Sequence, residues 1–216
     1  MRGVVDVAFV STNRGKYLEA QEILRPYGVR LRWVRRSLPE PQAADLRVVA
    51  EAKVRSVRDF RGYVLVEDSG LFIRALHGFP GVYSAHFLEI WGFPPILDLL
   101  RHRPRAASFL TAAALRRGRM VRTFVGEVRG SIARRAAGRN GFGYDPIFVP
   151  RGYRATFGEL PEATKNALSH RARAMEQVGR FLSRDRRSRD AAARNRPVRR
   201  GSRPRRGPRA VIPSSD

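Results

Sequence analysis

The sequence predicts an α/β protein with a mixed β-sheet flanked by helices. Short apolar segments rich in β-branched residues alternate with segments whose apolar residues recur at helical spacing, as expected when strands and helices alternate along a chain. Two further apolar segments, 108–115 and 120–132, are joined at Arg117-Gly118, which indicates a hairpin. Because a hairpin adds antiparallel strands, we expect a mixed sheet rather than a wholly parallel one.

The first third of the chain accounts for the parallel part of this prediction. Apolar, β-branched residues predict buried strands, and apolar positions three or four residues apart predict helices. In order, these patterns predict a strand at 4–10, a helix that begins after Lys16 and ends at Pro26-Tyr27-Gly28, a strand at 31–34, a helix at 43–60 and a strand at 63–66. We expect the last strand to end at Glu67-Asp68.

The rest of the chain is predicted in the same way. In order, the patterns predict a Gly/Pro loop at 78–83, a short helix at 94–100, the hairpin strands, a flexible loop at 138–143, a strand at 147–149 and a final helix at 161–182. No internal repeat is visible.

Length and composition exclude several classes of protein. With 216 residues and 43% hydrophobic content, the chain is sufficient for one domain with a sizeable core. The absence of cysteine excludes a disulfide scaffold, thiol catalysis and any Cys-ligated metal site. No apolar run reaches the roughly 18 residues of a membrane helix, and the first residues do not resemble a signal peptide. We therefore expect a soluble, cytoplasmic protein.

The chain is strongly basic, with a formal net charge of +24. Residues 184–216 hold 12 Arg, three Asp and four Pro, a composition that predicts a disordered basic tail after a folded domain at 1–183. A basic chain can bind nucleic acid through its phosphates or steer small polyanions such as nucleotides. Arginine-rich tails also occur without any specific partner, and the sequence leaves these alternatives open.

Lysine is rare in this basic chain. Only Lys16, Lys53 and Lys165 are lysines among the 43 basic residues. Lysine carries a compact charge on a thin stem, whereas arginine carries a planar fork. The three positions are therefore candidates for a specific role.

Segment 11–16 joins a buried strand to a helix. Free backbone N–H groups and the positive end of the helix dipole favour phosphate at such a junction. Ser11, Thr12 and Asn13 can add side-chain hydrogen bonds, and Lys16 adds a charge. The spacing is not that of a Walker P-loop. The alternative is that Thr12 or Asn13 only caps the helix.

Acidic residues and Lys53 form a second candidate group. Glu40 lies in a loop, and Glu67 and Asp68 follow a buried strand, where carboxylates beside a polyphosphate would hold Mg²⁺. Adjacent strand residues point to opposite faces, so both reach one site only if the strand has bent. Lys53 lies within the apolar stripe of its helix and either enters a polar cavity, where an anion could bind, or lies solvated at the stripe's edge. The alternative for Glu67-Asp68 is a solvated strand end.

Two C-terminal motifs carry aromatic and donor groups. In 141–146, glycines flank Phe142 and allow close backbone approach, so that Phe142 or Tyr144 can stack on a base. In 165–171, His170 and Arg171 are donors suited to a carbonyl oxygen. The alternative for His170 is a structural role in the core.

Together these segments resemble the inosine/xanthosine triphosphate pyrophosphatases, which remove non-standard purine nucleotides. The matching motifs, in the family's order, are STNRGK (11–16), LPEPQ (38–42), VLVEDSGL (64–71), GFPGVYS (78–84), GFGYDPIF (141–148) and TFGELPEATKNALSHR (156–171). All three lysines fall on family lysine positions. The resemblance implies an elongated mixed sheet with two lobes around a nucleotide-binding cleft, a homodimer, and Mg²⁺-dependent cleavage of ITP, dITP and XTP between the α and β phosphates.

The resemblance also implies roles for individual residues. Asp68 would accept the proton of the attacking water, and Glu40 and Asp68, with Glu67 as a further candidate, would bind Mg²⁺. The substrate would be held by Ser11, Thr12, Asn13, Lys16, Lys53 and Ser69, and at the base by Phe142, Gly143, Tyr144, Asp145, Lys165, His170 and Arg171. The arginine-rich tail is not part of the family pattern. A nucleic-acid-binding protein and a related enzyme for other modified nucleotides are the alternative functions.

Overall fold

A seven-stranded mixed sheet organises the computed structural model, which describes residues 4–194. The strands are β1 Val5–Val10, β2 Val29–Val34, β3 Tyr63–Ile73, β4 Pro80–Gly81, β5 Ala106–Arg117, β6 Met120–Ile132 and β7 Phe148–Pro150. The helices are α1 Arg14–Leu24, α2 Leu46–Ser56, α3 Ser84–Trp91, α4 Pro94–Leu99, α5 Glu162–Leu168 and α6 His170–Arg194. Strand order is β2-β1-β3-β5-β6-β7, with β4 on β3. The first three strands are parallel and the others antiparallel, which confirms the predicted fold class.

The long strands β3 and β5 pass through two hydrophobic regions. At one end, Leu65 packs under α1 and α6 while Val64 packs under α2 on the opposite face. At the other end, Leu71 and Ile73 pack with residues of α3 and α4. The stretch of β3 between these regions, Glu67 to Ser69, is polar. The fold therefore places ionisable groups at the junction of its cores.

β3 is longer than the sequence predicts. It does not end at Glu67-Asp68 but continues to Ile73, because β5 pairs with it from Val64 to Ile73. Both acids therefore lie in the middle of a strand, without the bend that would bring them to one face. The predicted strand end is wrong here.

Two helical features also differ from the sequence prediction. α3 was not predicted, because it has only eight residues and follows directly on the Gly/Pro loop, which leaves a short pattern. The single helix predicted at 161–182 is two helices. Ser169, with ψ 157°, is extended and separates α5 from α6. This break sets His170 at the start of α6.

The last helix crosses the predicted boundary at residue 183. α6 continues to Arg194, so residues 184–194 are helical instead of forming part of a disordered tail. The physical reason is an anchor on the sheet: Tyr63 Oη donates to Asp185, and Arg189 donates to Tyr63 Oη at 2.9 Å. The remainder of the predicted tail, 195–216, lies outside the described residues. No described helix, α6 included, is long and apolar enough to cross a membrane.

Candidate active site

Glu67 and Asp68 face opposite sides of the sheet. Successive side chains of a strand alternate between its faces, and the contacts agree. Glu67 contacts Lys16 of α1 and Arg171 of α6, whereas Asp68 contacts Lys53 of α2. The polar centre of β3 therefore serves two separate groups of charges.

The face with α1 and α6 carries a continuous network of ions, all of them buried except the half-buried Lys16. Lys16 Nζ lies 3.2 Å from Glu67 Oε1. Arg171 donates two hydrogen bonds to Glu67, from Nε to Oε2 at 2.8 Å and from Nη2 to Oε1 at 3.0 Å. Arg171 also donates to Glu19. Lys165 Nζ then donates to Glu19 at 2.7 Å and lies 2.8 Å from Asp145. Alternating charges compensate the cost of burying each ion.

Burial and charge oppose each other in the pKa values of this network. Burial would raise the pKa of Glu67, but Arg171 and Lys16 outweigh it and lower that pKa to about 2. Burial would lower the pKa of Lys165, but the carboxylates of Asp145 and Glu19 outweigh it and raise that pKa. Burial raises the pKa of Asp145, and Lys165 offsets only part of the shift. Glu67 and Lys165 therefore stay charged at neutral pH.

On the face with α2, Lys53 joins the two remaining candidate acids. Its Nζ donates to Glu40 Oε1 at 2.6 Å and to Asp68 Oδ2 at 3.1 Å. Lys53 and Asp68 are buried, whereas Glu40 is exposed. Burial would lower the pKa of Lys53, but Asp68 and Glu40 outweigh it and raise that pKa. Of the two predicted alternatives, Lys53 therefore takes the polar environment, and the groups that surround its ammonium are carboxylates.

The donor set on this face suits Mg²⁺. Glu40 and Asp68 both reach one cation, the ammonium of Lys53, and Mg²⁺ is commonly held by one or two carboxylates together with substrate phosphates. Glu67 does not join them, because both its oxygens bind Arg171 on the other face. No group of three or more His, Asp or Glu side chains suited to a metal occurs among residues 4–194. Glu67 therefore lies apart from Glu40 and Asp68, and binding of a metal by these two acids stays a prediction.

The loop before α1 is organised by helix capping. Asn13 Oδ1 accepts the Lys16 backbone N–H at 3.1 Å, and Ser11 Oγ accepts the Asn13 backbone N–H at 3.1 Å. Thr12 is exposed. Capping by Asn13 is therefore present, and it holds Lys16 in the first turn of the helix. The exposed Thr12 and Asn13 and the half-buried Lys16 lie together at this helix start, a position that favours phosphate.

The comparisons with known proteins identify the family. The sequence profile of the Ham1 family matches residues 7–181. The chain belongs to the Ham1 family. Similar proteins named dITP/XTP pyrophosphatase include one from Methanopyrus kandleri, 44% identical over 81% of this chain and 95% of that protein. Another, from Thermococcus kodakarensis, is 42% identical over 82% of this chain and 96% of that protein.

Solved structures of similar proteins share the Ham1-family fold. A HAM1 protein from Coxiella burnetii has a TM-score of 0.74 at 31% identity, covering 84% of this chain and 100% of that chain. A structure titled nucleoside-triphosphatase / dITP/XTP pyrophosphatase from Mycobacterium abscessus has a TM-score of 0.64 at 35% identity, covering 82% and 100%. The resemblance read from the motifs is thereby confirmed at the level of family and fold.

In this Ham1-family chain, the loop before β7 covers the buried network. The ring centroid of Phe142 lies 5.0 Å from Lys165 Nζ and 5.4 Å from Arg171 Cζ. Asp145 Oδ2 accepts the Phe142 backbone N–H at 2.9 Å. Gly141 has φ 75°, and an added Cβ would lie 2.1 Å from Asp145 Oδ2. Glycine at 141 therefore permits the close approach that the sequence predicted.

Gly143 and Tyr144, two further predicted residues, follow in the same loop. Gly143 adopts φ 68° and turns the chain. Tyr144 is buried in the core, where its hydroxyl donates to the Ser84 carbonyl at 2.8 Å, and burial raises its pKa. Because its polar end is engaged away from the ion network, Tyr144 does not fit the predicted role of stacking on a base.

His170 and Ser69 lie beside the network. The His170 ring stacks on Phe109 with centroids 4.7 Å apart, and its Nδ1 has no hydrogen-bond partner among the described residues. Burial, followed by the charge of Arg171, lowers the pKa of His170 well below 6.5, so the ring is neutral at pH 7. Ser69 Oγ lies 2.7 Å from Thr111 Oγ1 and 3.5 Å from an Arg171 nitrogen.

Sequence reasoning missed Glu19, which joins Lys165 to Arg171. Glu19 is 5% exposed, among the apolar residues of α1. Glu19 follows Lys16 by three residues, so both lie on one face of the helix. This spacing was the feature of the sequence that could have indicated Glu19. No other feature of the sequence distinguishes Glu19 from an ordinary glutamate in a helix.

Proposed function

We propose that this protein hydrolyses non-standard purine nucleoside triphosphates, ITP, dITP and XTP, to the monophosphate and pyrophosphate. The observation that carries the proposal is the similarity to relatives named dITP/XTP pyrophosphatase, which covers about four fifths of the chain. The two charged groups around β3 support it, because one offers metal ligands and the other a set of buried donors. Hydrolysis of such nucleotides is a reaction of the cytoplasmic nucleotide pool, where we expect the enzyme to act.

The triphosphate would bind between the start of α1 and α2. Thr12, Asn13 and Lys16 supply donors at the helix start, and Lys53 supplies an ammonium group from the other face of β3. Glu40 and Asp68 would hold Mg²⁺, which when bound neutralises phosphate charge and favours ionisation of water. Asp68 would accept the proton of the attacking water, since its carboxylate is buried next to Lys53, the ammonium group proposed to hold the phosphate.

The base would bind where Phe142 covers Lys165 and Arg171. Hypoxanthine and xanthine carry a carbonyl at position 6, whereas adenine carries an amino group. Lys165 has three N–H donors and two carboxylate partners, so that one donor can meet the carbonyl, and His170 can add another. Adenine would leave such buried donors unpaired, at a cost of about 1–3 kcal/mol each.

A panel of nucleoside triphosphates tests the function. Purified protein with Mg²⁺ should release pyrophosphate from ITP, dITP and XTP much faster than from ATP or GTP. Modified pyrimidine and oxidised purine triphosphates belong in the panel, because preference for one of these would indicate the related enzyme instead. Release of orthophosphate without pyrophosphate would contradict cleavage between the α and β phosphates.

The protein is also proposed to act as a homodimer. Large hydrophobic side chains are exposed on and beside α3, namely Phe79, Tyr83, Ile90 and Trp91. An exposed apolar patch of this kind is typical of a protein interface. Sedimentation should give a dimer that Trp91→Glu converts to monomer, while Val48→Glu, at an exposed residue of α2, should have no effect.

Nucleic-acid contact through the basic C-terminal segment is a second candidate function. The specific observation is that α6 carries exposed Arg184, Arg187 and Arg189 beyond the family match at 181. Contact through phosphates would be strongly salt-dependent. The full chain with Arg184→Gln and Arg187→Gln should bind RNA or DNA more weakly than wild type, with unchanged pyrophosphate release. Equal binding by both proteins would contradict a role of these arginines in nucleic-acid contact.

A further inference from the structure

The ammonium of Lys53 lies where the two proposed metal ligands meet. Its distances to Glu40 and Asp68 are 2.6 and 3.1 Å. Lys53 is 7% exposed and extends from the buried side of α2, so packing of the helix directs the side chain to this position. The acids are therefore neutralised by the protein's own cation.

A divalent cation held by the same two carboxylates would compete with this ammonium. Mg²⁺ requires oxygen ligands at about 2.0–2.1 Å, so the oxygens of Glu40 and Asp68 that now bind Lys53 would have to turn to the metal. Two cations at one pair of carboxylates also repel each other. The ammonium must therefore move for the metal to bind both acids.

We infer that Lys53 blocks metal binding in the nucleotide-free enzyme and releases Glu40 and Asp68 when a triphosphate arrives. The phosphate oxygens give the ammonium a new partner, and the vacated carboxylates then bind the metal. This inference rests on the proposed function, since it needs a triphosphate beside Lys53. Linkage requires the effect to be reciprocal: nucleotide strengthens metal binding, and metal strengthens nucleotide binding.

The type of residue supports this exchange. Lysine is a point charge on a flexible stem, whereas arginine forms two parallel hydrogen bonds with a carboxylate. Arginine binds a carboxylate in this way on the other face of the sheet, where Arg171 donates to both oxygens of Glu67. Position 53 is one of only three lysines among 43 basic residues. Lysine therefore suits a position at which the side chain has to release its carboxylates, because it does not form the two parallel hydrogen bonds of arginine.

Direct metal binding tests the inference. Mn²⁺ is titrated into the nucleotide-free full chain and followed by electron paramagnetic resonance, for wild type, Lys53→Met and the control Lys16→Met, whose lysine binds Glu67 on the other face. Lys53→Met should bind Mn²⁺ about tenfold more tightly than wild type, and Lys16→Met should bind like wild type. Addition of a non-hydrolysable ITP analogue should strengthen Mn²⁺ binding more in wild type than in Lys53→Met. Equal or weaker binding by Lys53→Met would overturn the inference.

A second measurement uses the wild-type chain alone, in case the variant does not fold. Lysine labelled with ¹³C at Cε gives three side-chain signals, because the chain has three lysines. Mg²⁺ together with a non-hydrolysable ITP analogue should shift the Lys53 signal much more than Mg²⁺ alone does. A Lys53 signal that responds to Mg²⁺ alone as fully as to Mg²⁺ with the analogue would overturn the inference. Pyrophosphate release from ITP is measured on the same sample, so that failure of the proposed function is seen separately.

Discussion

Glu67 and Asp68, neighbours in β3, bind cations on opposite faces of the sheet. Glu67 is held by Arg171 and Lys16, and Asp68 by Lys53. One strand thus connects the buried network around Lys165 with the acids proposed to bind metal. The two faces can be tested separately, because a substitution at one acid leaves the contacts of the other in place.

Asp68→Asn should abolish pyrophosphate release while the fold is kept. The amide occupies the same volume but neither accepts a proton nor offers the negative charge that holds a metal. General-base catalysis typically contributes 10²–10⁴-fold, so we expect kcat to fall by at least about 100-fold. The matched control is Asp6→Asn, an exposed acid of β1 paired with Arg30, which should keep wild-type kcat. Wild-type turnover by Asp68→Asn would refute the catalytic role.

Arg171→Met should strongly destabilise the protein. Without the guanidinium, Glu19 and Glu67 lose their shared partner, and breaking a buried ion pair costs about 3–5 kcal/mol. The free energy of unfolding is measured by urea titration. Arg30→Met removes an arginine from the exposed pair with Asp6 and should leave stability nearly unchanged. Similar losses in the two variants would contradict the importance of burial.

Stability should fall as the pH drops below 6.5, because of His170. Its folded pKa is lowered well below the model-peptide value of 6.5, so the unfolded chain takes up a proton that the folded chain does not. The contribution of neutral, buried His170 to the free energy of unfolding is fully present above pH 6.5. Below pH 6.5 the free energy of unfolding falls by about 1.4 kcal/mol per pH unit. His170→Gln should flatten the profile between about pH 5 and 7, a window in which Glu67, with a pKa of about 2, stays ionised. His102→Gln, at an exposed site, should keep the wild-type profile.

Asn13→Asp should separate helix capping from phosphate binding. Aspartate caps a helix about as well as asparagine, so the melting temperature should stay close to that of wild type. Its negative charge would repel the triphosphate, and we expect KM for ITP to rise with stability unchanged. Asp45→Asn makes the reverse change at the N-cap of α2 and should leave KM unaltered. An unchanged KM in Asn13→Asp would leave Asn13 with the capping role alone.

The local signals of the sequence were enough for the fold class and for naming many residues that the fold brings together in the candidate site. Strand β1, the helix start near Lys16 and the three lysines are read from short segments whose neighbours are close along the chain. The course of β3 through Glu67 and Asp68 depends on pairing with β5 some forty residues away, which no local pattern contains. Glu19 was missed because its partners Lys165 and Arg171 lie in distant segments. The helical extension after residue 183 was missed because an arginine-rich composition favours disorder. The contact between Asp185 and Tyr63 that holds this segment joins residues far apart along the chain.

α6 acts as a rigid spacer with His170 at one end. At 1.5 Å per residue, the 25 residues of α6 place His170 and Arg194 about 36 Å apart. A fluorophore or a solid support joined at Arg194 would therefore stand well clear of the proposed base-binding site beside His170.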